Sequence, residues 1–120
     1  DVTPTVYSNS TLGFSMTISN LWQASEANDG NTVIFTNAKG ENISVQSYQK
    51  PEGGLALVES QLSGSDSVSN LTKSSFQGEP ALEFRTTTGL QAVAVIHDNK
   101  LYYIMGSVIN AEPISTFKFQ

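Results

Sequence analysis

"LQAVAVIHDNKLYYIMGSVI" (residues 90–109) decides the fold. Two apolar strands flank a turn centred on Asp98-Asn99. Side chains alternate across a strand, so each strand has two parities to read. Here both are apolar: Leu90, Ala92, Ala94 and Ile96 on one face of the first strand, Val93 and Val95 on the other. The return strand repeats this, with Leu101, Tyr103 and Met105 against Tyr102, Ile104 and Val108. Strands apolar on both faces sit centrally in a sheet and must be covered on both sides.

The segments before the hairpin supply the rest of the sheet. Thr11–Ile18 is the first clear strand, with Phe14, Met16 and Ile18 on one face. The turn signal "NDGN" (28–31) separates Gln23–Ala27 from Thr32–Asn37, and "NAKGE" (37–41) leads to Asn42–Gln49. These three segments read as an antiparallel meander. "KPEGG" (50–54) breaks the pattern and introduces one helix, Leu55–Ser63, in which Leu55, Val58 and Leu62 fall at helical spacing before Gly64 stops it. Val68–Gln77 reads as a polar, edge-like strand, "GEP" (78–80) as a turn and Ala81–Thr87 as the next strand. "ISTFKFQ" (114–120) closes the domain with Phe117 and Phe119 inward.

The expected fold is α+β: a six- or seven-stranded antiparallel sheet with the helix Leu55–Ser63 on one face and short helical or loop cover on the other, an α-β-α sandwich. One helix does not cover two faces. The second cover is expected from residues 1–10, from "NAEP" (110–113) or from another molecule, and an uncovered face would be an apolar contact surface. "DVTPT" (1–5) reads as a linker remnant and 6–120 as a single domain.

At 120 residues the chain is long enough for one core. Charged residues are 14% of it, where soluble domains carry about 25%, and 16 serines, 11 threonines and nine asparagines supply polarity instead. That hydroxyl- and amide-rich surface suits a compartment outside the cytoplasm. The net charge is −5, and the six basic residues (Lys39, Lys50, Lys73, Arg85, Lys100, Lys118) are scattered singly. Neither a nucleic-acid backbone nor an anionic membrane surface is a fitting partner, because both need clustered cations. With no cysteine there is no disulfide, thiolate metal site or thiol nucleophile. No run reaches the roughly 18 apolar residues of a spanning helix. The start at Asp1 fits a mature or trimmed domain, with any membrane attachment through an upstream anchor.

Little in the sequence points to chemistry. His97 is the one histidine; its neighbour Asp98 points to the opposite face of a strand, and no G-x-S-x-G elbow presents a serine. Glu41, Glu59, Glu79, Glu83 and Asp98 read as solvated surface acids, none set in an apolar stretch that would raise its pKa. "NDG" (28–30) lacks the alternating acids and distal glutamate of a calcium loop, and phosphate-cradling glycine motifs do not occur. No catalytic residue, metal or cofactor is expected. Aromatics anchor interfaces, so Trp22, Tyr48 and Tyr102 are the binding candidates; Trp22, following a strand of inward apolar residues, reads first as a plug at the end of the core.

Residues 7–22, "YSNSTLGFSMTISNLW", resemble the start of PsbP-like domains of exported prokaryotic proteins and lipoproteins. Tyr7, Gly13, Phe14, Met16, Ile18 and Trp22 match the family's order, with Ser19 where the family usually has proline. "FQGEPALEF" (76–84) is similar to its Gly-x-x-Ala turn into a strand, and "ISTFKFQ" to its closing strand. The resemblance implies an α-β-α sandwich outside the cytoplasm, with assembly, accessory or docking roles on larger complexes and no catalysis. The photosynthetic member docks through basic residues at its N-terminus, which have no counterpart here. The expectation is therefore a non-catalytic, extracytoplasmic domain docking to a protein partner in a membrane-associated complex. The alternatives are a small-molecule binding module built on Trp22 and the tyrosines, or a small carboxylate-dependent hydrolase.

Overall fold

The protein is described here from a computed structural model covering residues 3–27, 30–107 and 116–119. The turn residues Asn28 and Asp29, the "NAEP" stretch, and Ile114 and Ser115 of the expected closing strand lie outside the described residues.

The deciding hairpin forms β8 (Gln91–His97) and β9 (Lys100–Gly106), paired antiparallel from Gln91↔Gly106 to His97↔Lys100. Its turn residues Asp98 and Asn99 both have positive φ, 51° and 63°. That is the two-residue turn whose twist matches the flanking strands, and Asn and Asp are the side chains that tolerate it. Around the hairpin a seven-stranded antiparallel sheet is ordered β3 (Trp22–Glu26), β4 (Thr32–Asn37), β5 (Asn42–Gln49), β9, β8, β7 (Glu79–Thr86), β6 (Val68–Phe76). The two-sided strands thus occupy its middle. β6 and β7 are joined at Gln77 and Gly78, both at positive φ, rather than at "GEP": Glu79 and Pro80 already lie in β7. Pro80 sits opposite Ser75 near the start of β7, beyond the last β7–β8 pair Ala81↔Val95, where a missing donor is tolerated.

One face carries Leu82, Phe84, Ala92, Ala94 and Leu101, buried together with Val58 of α1 (Gly54–Ser63). Leu55 and Leu62 pack beside them, as their spacing requires. The opposite face carries Val33, Phe35, Ile43, Val45, Val93, Val95, Tyr102 and Ile104. Its cover is a second sheet rather than helix or loop. β2 (Phe14–Ser19) lies between β1 (Pro4–Asn9) and the two-residue β10 (Lys118–Phe119). Phe14, Met16 and Ile18 point from β2 into the core, together with Phe117.

The expected α-β-α sandwich is therefore corrected: α1 is the one helix among the described residues, and the second layer is β. The physical reason lies in the pleat. A strand alternating Phe14, Met16 and Ile18 with polar residues has one dry face to give, and it needs only hydrogen-bonding neighbours on each side. β1 supplies one in full register, Pro4↔Ser19 to Asn9↔Phe14. Thr116 supplies part of the other: its hydroxyl accepts from the Thr17 N–H at 2.8 Å and donates to the Thr17 carbonyl at 3.2 Å. β1 takes in Pro4 and Thr5, the end of the stretch read as linker.

Candidate functional site

The three aromatic candidates stand in different surroundings. Tyr102 is 1% exposed, and its hydroxyl donates to the carbonyls of Leu12 (2.7 Å) and Gly13 (3.3 Å) in the β1–β2 connection. Burial raises its pKa above the usual tyrosine value, and the charge of Asp98 adds to the rise. Gly13 has φ +88°, and a Cβ there would lie 2.8 Å from the Tyr102 hydroxyl, so the close approach needs glycine. Trp22 opens β3, partly buried against the same core. Tyr48 lies on β5 with its neighbour Ser47 facing Tyr102, so Tyr48 is on the other face of the sheet.

Tyr48 belongs to an open half-face. α1 packs over β6 and β8, and Tyr103 and Met105 of β9 pack against the cluster it forms there; among the described residues no second helix is present to cover the same side of β3, β4 and β5. The register places Ser25, Ile34, Ser44 and Met105 in one row across these strands, with Gln46 opposite Tyr103 in the next. Tyr48 is 41% and Ile34 39% exposed. The Tyr48 ring meets Tyr103 edge-on, with centroids 6.2 Å apart, and its hydroxyl donates to the Gln46 Oε1 at 3.0 Å. Burial raises the Tyr103 pKa, and Tyr48 adds to it.

The ionisable candidates are dispersed. His97 Nδ1 lies 2.6 Å from Glu79 Oε2, and its ring stacks on Phe119 at 4.2 Å and 15°. The sequence reading paired His97 with nothing beyond Asp98. The signal for Glu79 is the register: β7 and β8 pair Ala81↔Val95, and two further residues along each strand lie Glu79 and His97. Glu83 accepts from Ser74 at 2.6 Å and Glu41 from the Asn37 amide at 2.9 Å. Glu26 accepts from the Tyr7 hydroxyl at 2.9 Å, which itself accepts from the Asn9 amide at 3.1 Å. Burial raises the Tyr7 pKa, and Glu26 contributes to the rise. Asn9 and Glu26 border a groove of about 440 Å³ lined also by Ser8, Leu12, Thr32 and Val33, in which Glu26 is the one carboxylate among the described lining residues. Among the described residues no three of His, Asp and Glu converge in a way that could hold a metal.

Among the described residues no helix is long and apolar enough to cross a membrane. No family model and no curated protein sequence matches the chain. Solved structures do. The solution structure of cyanobacterial PsbP (CyanoP) from Synechocystis sp. PCC 6803 aligns with a TM-score of 0.66 at 16% identity, over 98% of this chain and 92% of that one. A crystal structure from Bacteroides thetaiotaomicron VPI-5482 aligns with a TM-score of 0.55 at 17% identity, over 89% of this chain and 45% of that one. The chain has a PsbP-like fold.

Proposed function

We propose that this PsbP-like fold serves as a non-catalytic accessory domain outside the cytoplasm, docking on a membrane-associated protein complex. The observation that carries the reading is the likeness to cyanobacterial PsbP over nearly the whole of both chains. The motifs Tyr7, Gly13, Phe14 and Trp22 support it, because all four lie at the layer contact that the likeness spans. The low charge and hydroxyl-rich composition fit the compartment. Docking would work by surface complementarity, without the clustered cations that mark electrostatic docking.

The test immobilises the folded chain and passes over it detergent-solubilised membranes from its own organism, beside an unrelated acidic domain of equal size. The expected outcome is one reproducible membrane-protein partner at stoichiometric yield. Absence of any partner at concentrations that retain micromolar binders contradicts the reading. The groove beside Glu26 favours a second reading, a small-molecule binding module. That reading expects Glu26→Gln to abolish a ligand-induced rise in melting temperature found in a metabolite screen.

A further inference from the structure

We propose that the open half-face of the large sheet, centred on Tyr48, Gln46 and Ile34, binds a neutral polysaccharide chain. This goes beyond the docking role and does not rest on it.

Three observations fix the kind of occupant. The first is charge. On this side of the sheet the register brings together Gln23, Ser25, Ile34, Thr36, Asn42, Ser44, Gln46, Tyr48, Tyr103 and Met105, with no ionisable acid or base among the ten except the two tyrosine phenols. None of the chain's 17 acidic and basic residues (11 + 6) is among these ten positions. An anionic polymer would find no cation among these positions and would meet the net charge of −5 around it.

The second is size. Four strands about 4.8 Å apart and about five residues long make a strip of roughly 15–20 Å on each side. Its area, about 300–400 Å², is half or less of the ~800 Å² each partner contributes to a stable protein–protein interface. A second copy of the chain would be held too weakly by it. A slender chain a few sugar rings long fits.

The third is chemistry. A pyranose offers hydroxyls around its rim and C–H groups on its faces, so its binding site needs paired donors and acceptors beside an aromatic or aliphatic surface. Gln46 accepts the Tyr48 hydroxyl with its amide oxygen, which holds the ring in place and points the other end of that amide, a double donor, away from this bond. Ser25 and Ser44 flank Ile34 in register. Exposed Tyr48 and Ile34 supply the apolar surface.

The experiment runs the purified chain in native gels containing dextran, laminarin or xyloglucan and incubates it with insoluble cellulose and chitin. Alginate, a polyanion, is run in parallel. At least one neutral polymer is expected to retain it, and retention is expected to hold across a roughly tenfold rise in ionic strength, since no ion pair is screened. Tyr48→Ala and, independently, Ile34→Lys are expected to weaken retention about tenfold or more. Both positions are exposed, and unchanged melting temperatures confirm that the variants are folded. Three results overturn the proposal: no retention by any of the five neutral polymers, retention by alginate alone, or retention undiminished in folded Tyr48→Ala or Ile34→Lys.

Discussion

The Tyr102 hydroxyl is buried where the small sheet meets the large one, donating to Leu12 and Gly13 carbonyls some 90 residues away in sequence. Tyr102→Phe keeps the ring and deletes the donor. Removing one partner of a buried hydrogen bond costs about 1–3 kcal/mol, and urea unfolding should show a loss in that range. Gly106 is held more rigidly. A Cβ there would lie 2.3 Å from the Asn42 carbonyl and 3.1 Å from the Ile43 Cα, both backbone atoms that no rotamer change can move. Gly106→Ala is expected to destabilise by about 3 kcal/mol or to prevent folding, and an unchanged unfolding midpoint would contradict the packing described. Residue parity within a strand was legible in the sequence, since alternation alone puts Tyr102 with Ile104 and against Tyr103. Which tyrosine is buried was not, because that depends on a contact between Leu12 and Tyr102 that no local pattern encodes. The same holds for His97 and Glu79, which meet only once the β7–β8 register is known.

Among the elements, β10 has two residues and two pairings, Lys118↔Ser15 and Phe119↔Phe14. Aromatic contacts secure it. Phe117, next to the strand, stacks on Phe14 with centroids 5.2 Å apart and planes within 4°, while Phe119 stacks on His97. Phe117→Ala should cost about 3–5 kcal/mol, the range for truncating a buried phenylalanine, with near-ultraviolet circular dichroism and unfolding midpoint falling together. The helix is at the opposite extreme. α1 has one fully buried residue, Val58, and no side-chain hydrogen bond at its N-terminus. Its amides should exchange with deuterium well before those of β8 and β9, and equal protection would contradict this ordering. The helix and the central hairpin were legible because period and turn chemistry agree within each segment. β1 was not: Pro4–Asn9 has no apolar alternation and is largely exposed, so its strand state comes from pairing with β2.

At the scale of the whole molecule, two-sided strands demanded two covers, and that demand was readable. The identity of the second cover was not, because Phe14, Met16 and Ile18 look the same in sequence whether their strand joins the large sheet or lies across it. The layered core has a pH consequence. Burial raises the pKa of both Tyr102 and Tyr103 above 10.0, so the folded chain holds these phenolic protons more tightly than the unfolded chain. Their contribution to stability is complete below about pH 10 and is lost as pH rises through the raised folded values. Tyrosinate absorbance and far-ultraviolet circular dichroism should therefore change together in alkali. Titration of all four tyrosines with an intact sheet would contradict it. The central claim, that a PsbP-like fold docks on a membrane-associated complex, is tested most directly by native electrophoresis of gently solubilised membranes carrying the tagged chain. The account predicts a single band comigrating with one large membrane complex; migration only as the free chain would contradict it.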